Sequence, residues 1–374
     1  MLTGAPALLL TGVTGLVGGG LLTHLLDTRP ERQICAITRQ RDRILTLNQL
    51  PQVVALHGDL VHPQLGLDKQ MYATLQSCVT EVIHCAAETR FSLPVEQARM
   101  TNTVGTQNLL TFARSCRRLE KFAHLSTVYV VGRSIGYFDE APLYHDSGFC
   151  NTYQLSKYEA EELVMQAMQD LPAAIFRLSS IMGDSQTGRV QQFNYVHQLL
   201  RLFPRNVLPV APGEPNAPID VIPFDWAIPV LAYLFESNFV AGWIYHICAG
   251  PEHSFSVREM FDLTVSTFES HPIGRTWLPI RVPELVSLAT FEKFVESSRR
   301  EGDRFLNELL RTLGYFLPHL GMFQAFENRK TMDALAPSGL TVPETRDCYS
   351  KVIQYCLETN WIGQRRTRLR STRE

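Results

Sequence analysis

Short apolar runs alternate with segments of helical periodicity along the first half of the chain. The run Ala7–Thr11 is continuously apolar, which is typical of a buried strand, and Leu16–Leu26 after it repeats its apolar positions with helical spacing. The segment Val95–Ser115 also has a helical pattern. Four further runs have the composition of short strands: Ile34–Thr38, Val53–His57, Val79–His84 and Phe122–Ser126. Strands that alternate with helices indicate βαβ units, so this half predicts a doubly wound, parallel, Rossmann-type α/β sheet.

The second half of the chain has a different texture. Six prolines interrupt residues 204–223, and Trp243–Cys248 then has the pattern of one more strand. From Ser254 onward the chain reads as mostly helical, with Val257–Phe268 the clearest segment. We therefore predict a Rossmann domain over residues 1–250, with a substrate-lobe insertion near 180–225, and a smaller, mostly helical substrate-binding lobe over 251–374. The lobe ends in a tail, Arg365–Glu374, whose five arginines indicate a solvated end.

Composition and charge narrow the classes of protein to which the chain can belong. Its 374 residues carry 35 Lys and Arg against 37 Asp and Glu, a balance that argues against a nucleic-acid partner. No run of about 18 apolar residues predicts a membrane-spanning helix, and the start lacks the basic residues of a signal peptide. The eight cysteines contain no C-x-x-C spacing, so no metal site is expected. We expect a cytoplasmic protein with reduced thiols, and the pattern leaves its oligomeric state open.

A glycine-rich turn follows the first predicted strand. Gly12, Gly15 and Gly18 form G-x-x-G-x-x-G between that strand and the helix that begins near Leu16. In such a loop the first glycine permits the tight turn, the second lets the backbone approach a pyrophosphate, and the third allows close packing of helix and strand. Free N–H groups of the helix then face the phosphates. Seven residues are expected to contact the dinucleotide here: Thr11, Gly12, Thr14, Gly15, Leu16, Val17 and Gly18.

Residues after the next three strands complete this expected cofactor site. NAD sites usually place an acidic residue at the end of the second strand, where this chain has Arg39. A guanidinium there suits a 2′-phosphate by its charge and forked geometry, which favours NADPH over NADH. Asp59 and Leu60 follow the third strand, where the carboxylate could accept a hydrogen bond from the adenine amino group. After the fourth strand, three small residues let the backbone pass beside the nicotinamide ribose: Cys85, Ala86 and Ala87.

Candidate catalytic residues lie downstream of this site. Tyr153 and Lys157 are spaced i and i+4, which places both on one face of a helix. Thr127 follows the fifth predicted strand, at the edge of the sheet where such folds bind ligands. Hydride addition to a carbonyl builds negative charge on its oxygen. Tyr153 can donate the proton, the Lys157 cation favours the phenolate and can hold the ribose, and Thr127 can fix the oxygen. Ser126 offers a competing hydroxyl, and register favours Thr127.

In their order and spacing, these motifs resemble those of the extended short-chain dehydrogenase/reductase superfamily. The segments that carry the resemblance lie between residues 7 and 247: TGVTGLVG from Thr11, GDLVHPQLGL from Gly58, IHCAAETRFS from Ile83, NTVGTQNLL from Asn102, HLSTVYVVG from His124, YQLSKYEAE from Tyr153, RLSSIMGD from Arg177 and PIDVIPFDW from Pro218. The LGL, AAETRFS, STVYV and PIDVIPFDW segments look most like the branch of thioester reductases and fatty acyl-CoA reductases, the male sterility type.

The resemblance implies an NADPH-dependent oxidoreductase that converts an acyl thioester, carried by CoA or a carrier protein, into an aldehyde and a thiol. A second hydride would give the alcohol. Thr127, Tyr153 and Lys157 match the catalytic triad of this family, Arg39 matches its basic residue at the 2′-phosphate, and Asn102 resembles an asparagine of the active-site helix that we place among the cofactor contacts. Two alternatives stay open: a reductase or dehydrogenase of a ketone or other lipid or natural-product carbonyl, and a dinucleotide-sensing protein without catalysis.

Overall fold

The computed structural model describes residues 5–361 of the chain apart from 208, 278, 302–303 and 316. The strands of these residues, in chain order, are β1 (Ala7–Thr11), β2 (Gln33–Thr38), β3 (Val53–His57), β4 (Val79–His84), β5 (Lys121–Thr127), β6 (Gly136–Phe138), β7 (Ala173–Leu178), β8 (Ser180–Ile181), β9 (Val210–Pro212), β10 (Pro218–Ile219), β11 (Val221–Ile222), β12 (Ile244–Ile247), β13 (Phe255–Ser256), β14 (Glu284–Val286) and β15 (Gln324–Phe326).

The α-helices of the same residues are α1 (Leu16–Thr28), α2 (Arg41–Leu47), α3 (Lys69–Cys78), α4 (Val95–Arg99), α5 (Gly105–Ser115), α6 (Thr152–Ala167), α7 (Tyr195–Leu202), α8 (Phe224–Ser237), α9 (Gly250–His253), α10 (Val257–Ser270), α11 (Leu288–Glu301), α12 (Arg304–Leu313), α13 (Leu317–Leu320), α14 (Arg329–Leu335) and α15 (Thr345–Glu358). Short 3-10 turns connect several of them. The predicted helix over Val95–Ser115 is continuous but changes pitch, because a π-helical turn at Met100–Val104 joins α4 to α5.

Seven parallel strands form the main sheet in the order β12-β7-β5-β4-β1-β2-β3. The chain enters in the middle and winds outward on both sides, which confirms the predicted doubly wound, Rossmann-type fold. The six strands expected from apolar runs are β1 to β5 and β12, with ends that differ by one residue at most. The hydrophobic pattern did not predict β7, whose interior contains the charged residue Arg177.

The chain divides into two compact units. The first comprises residues 1–179, 227–250 and 324–341, and the second comprises 180–226, 251–323 and 342–374. The sequence placed an insertion near 180–225 and a separate lobe from 251, but it did not anticipate that 324–341 belong to the first unit. The basic tail Arg365–Glu374 lies outside the described residues.

Hydrogen bonds explain why the segment 324–341 belongs to the first unit. Strand β15 pairs in parallel with β6 of that unit. The buried carboxylate of Glu140 accepts hydrogen bonds from the backbone N–H groups of Lys330 (2.6 Å), Thr331 (3.0 Å) and His246 (3.0 Å). Burial raises the pKa of Glu140, and these donors oppose that shift by stabilising the anion.

One apolar face of the main sheet packs against α3, α5 and α6. Phe122 of β5, Phe112 of α5 and Val164 of α6 belong to one cluster and have no exposed surface. Burial of each such side chain contributes about 1.5–3 kcal/mol relative to exposure. This packing fixes α6, the helix that bears Tyr153 and Lys157, against the strands of the sheet.

A buried ion pair adds a polar connection between α6 and the sheet. Nη2 of Arg177 on β7 donates to Oε2 of Glu161 at 2.7 Å, and Nε donates to both carboxylate oxygens. Nη1 of Arg177 also donates to the carbonyl oxygen of Ala141 and lies 3.2 Å from Nε2 of His246. Both charged side chains are almost completely buried, so each depends on the other for solvation.

The second unit is built mainly from helices around its own core. Phe255, Phe268 and Val352 are fully buried in that core, where α10 packs against α15. The hydroxyl groups of Thr264 and Tyr349 meet at 3.0 Å between these two helices. Across the described parts of both units, no helix is long and apolar enough to cross a membrane.

Candidate active site

The glycine turn between β1 and α1 is sterically restricted to glycine at two positions. Gly12 has a φ of +73°, and a Cβ there would lie 2.6 Å from the backbone nitrogen of Ala86. A Cβ at Gly18 would lie 2.3 Å from the carbonyl oxygen of Gly12. The Gly15 N–H donates to that same oxygen at 2.9 Å. The three glycines therefore form one tight loop in which backbone replaces side chains.

This loop has the properties of a phosphate cradle. Gly15 is the N-cap of α1, and no side chain caps the first N–H groups of the helix. Thr14 and Gly15 are exposed at the crest, whereas Leu16 and Val17 are half-buried in the first turn of α1. Uncapped donors at the positive end of a helix suit a pyrophosphate, so the loop fits a dinucleotide.

Thr11 lies in the interior at the end of β1, where its hydroxyl bonds to other groups of the protein. It is fully buried, its hydroxyl oxygen accepts a hydrogen bond from the N–H of Ala86 at 3.1 Å, and it lies 2.9 Å from Nδ1 of His84. These bonds tie the end of β1 to the end of β4. Cys85, Ala86 and Ala87 follow β4 with their side chains partly buried, and burial raises the pKa of the Cys85 thiol.

Basic side chains gather at the carboxyl ends of β2 and β3. Arg39 follows β2 directly and is exposed. The pKa of the Glu88 carboxyl is lowered, first by its hydrogen bonds with Arg90 and also by the charge of Arg39. Nε of Arg41 donates to Nε2 of His57 at 3.3 Å. A phosphate at the end of β2 would therefore meet an accessible guanidinium.

Asp59 and Leu60 follow β3 in a turn with unusual backbone angles. Oδ1 of Asp59 accepts from the N–H of Val61 at 3.2 Å, and Leu60 is buried. The turn continues through Gln64 and Leu65, whose φ angles are +54° and +59°. Asp59 as a whole is only partly buried.

Thr127 and Tyr153 lie where their elements end and begin. Thr127 closes β5, and its hydroxyl accepts from the N–H of Tyr129 at 3.3 Å. Asn151 caps α6 by accepting from the N–H of Gln154 at 3.0 Å, which starts the helix just before Tyr153. The Tyr153 ring lies 5.7 Å from the ring of Phe91.

Lys157 is buried one turn further along α6. Its Nζ donates to the carbonyl oxygen of Leu125 at 2.6 Å and to Nε2 of His124 at 3.0 Å, both on β5. Burial lowers the pKa of Lys157 to about 8, and the charge of Glu161 opposes this shift. The side chain is therefore still largely protonated at neutral pH.

Asn102 is a buried residue that connects α6 to the segment after β4. The residue is 1% exposed, and its Nδ2 donates to Ser156 Oγ at 2.8 Å and to the carbonyl oxygen of Glu88 at 3.0 Å. Its Oδ1 accepts from the N–H of Glu88 at 2.7 Å. Both polar atoms of its side chain bond to protein and link α6 to the segment after β4, and the expected contact with the cofactor stays a prediction.

The sequence did not single out His124 as a neighbour of Lys157. His124 contacts Nζ directly, and the motif HLST that contains it is the signal that could have pointed there. Ser126, which the sequence weighed against Thr127, is buried, and its Oγ has no hydrogen-bond partner among the described residues. The described residues also contain no group of three or more His, Cys, Asp and Glu side chains that could hold a metal ion.

Two proteins of known name are similar in sequence to this chain. A fatty acyl-CoA reductase 1 of Xenopus laevis is 26% identical over 331 residues, which cover 72% of this chain and 62% of that protein. An isonitrile lipopeptide synthase of Streptomyces coeruleorubidus is 29% identical over 235 residues, covering 57% of this chain and 16% of the synthase. The chain thus spans less than two thirds of the length of either relative.

A solved structure shares the fold over nearly the whole chain. The terminal R domain from the myxalamid PKS-NRPS biosynthetic pathway superposes with a TM-score of 0.77 and 23% identity, covering 96% of this chain and 92% of that one. The profile of an NAD-binding family described as male sterility protein matches residues 10–231, which contain the glycine loop, Thr127, Tyr153 and Lys157. Because the matched family binds NAD, the cofactor class is a nicotinamide dinucleotide. The match covers more than half of the chain, and the protein therefore belongs to the male sterility protein family.

Proposed function

We propose that the chain is an NADPH-dependent reductase of acyl thioesters, carried by CoA or by a carrier protein. The observation that carries this proposal is the place of Lys157. Its ammonium is buried at the end of β5, and Tyr153 lies one helical turn before it on the same face of α6. An acid and a buried cation at the carboxyl edge of a parallel sheet suit the reduction of a carbonyl.

Residues around the glycine loop would hold the cofactor. The uncapped N–H groups at the start of α1 would receive the pyrophosphate. Arg39 would pair with the 2′-phosphate, because its guanidinium is exposed and follows β2 directly. Lys157 would donate a hydrogen bond to the nicotinamide ribose. When bound, NADPH supplies the hydride for the carbonyl carbon.

Three side chains would manage the charge that develops on the carbonyl oxygen. Tyr153 donates its hydroxyl proton to that oxygen, and the ammonium of Lys157 stabilises the phenolate that remains. The hydroxyl of Thr127 orients the oxygen by a hydrogen bond. The product of this step is a thiohemiacetal, which loses a thiol and becomes the aldehyde. A second reduction at the same residues would yield the alcohol.

The names of the relatives support the choice of a thioester. One similar protein is named as a fatty acyl-CoA reductase and another as a lipopeptide synthase, and the structural neighbour is a terminal domain of a biosynthetic pathway. Acyl-CoA is a thioester, so the name of the first relative supports a thioester as the substrate class of this chain. We propose the second unit, residues 180–226, 251–323 and 342–374, as the substrate lobe.

The test is the release of free thiol in step with NADPH oxidation. The purified chain would be given acyl-CoA, acyl-carrier, aldehyde and ketone substrates, with products identified by mass and free thiol measured in parallel. The proposal expects a thiol for each aldehyde formed from a thioester, and loss of that thiol in Tyr153→Phe. Rapid turnover of ketones with no thiol from any thioester would replace it with the ketone-reductase alternative.

A further inference from the structure

His124 is the buried partner of Lys157 on β5. Nζ of Lys157 lies 3.0 Å from Nε2 of this histidine and 2.6 Å from the carbonyl oxygen of Leu125. His124 is 0% exposed and Lys157 is 2% exposed. An ammonium has three N–H donors, so these two bonds leave one N–H of Lys157 for a further acceptor. The two acceptors on β5 thereby determine the direction in which that third donor points.

The bond to Lys157 also determines the tautomer of the His124 ring. An ammonium only donates, so Nε2 of His124 is the acceptor, and in the neutral ring the proton sits on Nδ1. Nδ1 is buried and has no hydrogen-bond partner among the described residues. An unpaired buried donor is unfavourable. The bond between Nε2 and Lys157 is therefore the contact that fixes the orientation of the His124 ring.

The neighbouring histidine, His84, has hydrogen-bond partners other than Lys157. His84 lies opposite His124 in the register of β4 and β5, with ring centroids 5.2 Å apart. The hydroxyl of Thr106 donates to a backbone carbonyl oxygen at 2.5 Å, so it accepts from Nε2 of His84 at 3.0 Å. Nδ1 of His84 then accepts from the Thr11 hydroxyl at 2.9 Å. Both nitrogens of His84 bond to threonines, and only His124 is available to Lys157.

Titratable groups face the ammonium from each element packed around it. They are His124 on β5, His84 and Cys85 at the end of β4, and Glu161 on α6. Tyr153 on α6 is a further titratable group, because Lys157 is proposed to stabilise its phenolate. The pKa of both histidines is lowered, first by burial and then by the Lys157 cation, so both rings are neutral at ordinary pH. A neutral ring that accepts a hydrogen bond favours the charged form of the lysine and opposes the effect of burial.

We propose that His124 is a positioning residue that keeps Lys157 protonated and directs its third N–H toward the bound cofactor. Both consequences rest on the contact between Lys157 and the cofactor that is part of the proposed function, and only the kinetic one also requires turnover of a thioester. Loss of the acceptor at His124 destabilises the ammonium, so Lys157 loses its proton at lower pH. The alkaline limit of cofactor binding and of turnover then moves to lower pH.

The experiment compares His124→Gln with His124→Met, two side chains of similar shape that differ in the amide. The dissociation constant of NADP⁺ and kcat/KM would be measured between about pH 6.5 and pH 10. In the wild type, both weaken on the alkaline side with a midpoint near the Lys157 pKa of about 8. His124→Met should lower that midpoint by about one pH unit, the size of a hydrogen bond to a charged group. In His124→Gln the alkaline midpoint should stay close to that of the wild type.

The control is a second buried histidine on the same sheet. His246 contacts Arg177 and Glu327, so His246→Gln should leave the alkaline midpoint in place. An unchanged midpoint in a folded His124→Met protein would overturn the proposal. If that variant does not fold, NMR of the His124 ring nitrogens in the wild type decides, and a proton on Nε2 would also overturn it. A shifted midpoint for NADP⁺ with no thioester turnover would refute only the thioester substrate of the proposed function and leave the role of His124 in place.

Discussion

Glu161 holds the guanidinium of Arg177 at 2.7 Å, and one helical turn away the charge of the same carboxylate opposes the burial that lowers the pKa of Lys157. A buried structural ion pair and the proposed catalytic lysine thus depend on one anion. The pair anchors α6 to β7, and the anion opposes the loss of the Lys157 proton that burial promotes. The stability of this helix and the protonation of Lys157 therefore depend on the same carboxylate.

Removing one partner of this pair should destabilise the protein strongly. Arg177→Met leaves the buried Glu161 carboxylate without its cation and should lower the free energy of unfolding by about 3–5 kcal/mol. Urea unfolding of the variant and the wild type measures the difference. The double variant Arg177→Met/Glu161→Leu removes both charges and should recover most of the loss. A single variant as stable as the wild type would contradict the importance of the pair.

A methyl group at Gly18 should disrupt the loop between β1 and α1. A Cβ there would lie 2.3 Å from the Gly12 carbonyl oxygen, a backbone atom that cannot move without opening the turn. Gly18→Ala should therefore abolish measurable dinucleotide binding in a titration. Gly105→Ala is the matched control, because its Cβ would have 3.4 Å to its nearest neighbour, an ordinary contact. Equal binding by the two variants would show that the loop is not the phosphate site.

The choice of dinucleotide should depend on Arg39. Arg39→Ala removes the cation proposed for the 2′-phosphate and should weaken NADPH by about 1–3 kcal/mol more than NADH. Titration of both cofactors against each protein gives the comparison. Glu88→Gln should have the opposite effect and strengthen the binding of NADPH. The negative charge of this carboxylate interacts with the positive charge of Arg39, and its removal leaves that charge for the 2′-phosphate. Equal losses of the two cofactors in Arg39→Ala, or a wild-type preference for NADH, would refute the assignment.

Proton donation should depend on Tyr153. Tyr153→Phe keeps the ring but removes the hydroxyl, so cofactor binding should remain while turnover falls by roughly 10²–10⁴-fold. Lys157→Ala should lower both turnover and cofactor affinity, since Lys157 is proposed to serve the tyrosine and the ribose. Steady-state kinetics and cofactor titration on the same preparations separate these effects. Retained turnover in Tyr153→Phe would place the proton donor elsewhere.

Ser126→Ala separates the two hydroxyls at the end of β5. The Ser126 Oγ is buried without a partner among the described residues, so its removal should leave stability unchanged or increase it slightly. Thr127→Val should instead reduce kcat/KM, because Thr127 is proposed to orient the carbonyl oxygen. Thermal unfolding and kinetics of both variants provide the measurement. The reverse pattern in kcat/KM would give the role to Ser126.

The sequence by itself determined the parallel sheet, most of its strand ends and the glycine loop. These features depend on residues close together in the chain: a continuous apolar run makes a buried strand, and three glycines within seven positions permit one turn. The spacing of Tyr153 and Lys157 is likewise a local property of a helix. Such signals are readable without knowing what each residue meets in space.

Tertiary structure alone decided which partners the polar residues take. Arg177 can lie in the interior of β7 because Glu161 and the carbonyl oxygen of Ala141 reach it. Glu140 draws the segment 324–341 into the first unit by bonds to residues about 190 positions away. Asn102 and Thr11 turn inward because backbone groups of neighbouring strands and loops need their hydrogen bonds. A buried polar group is stable only with its partner, and that partner is set by the folded chain rather than by local sequence.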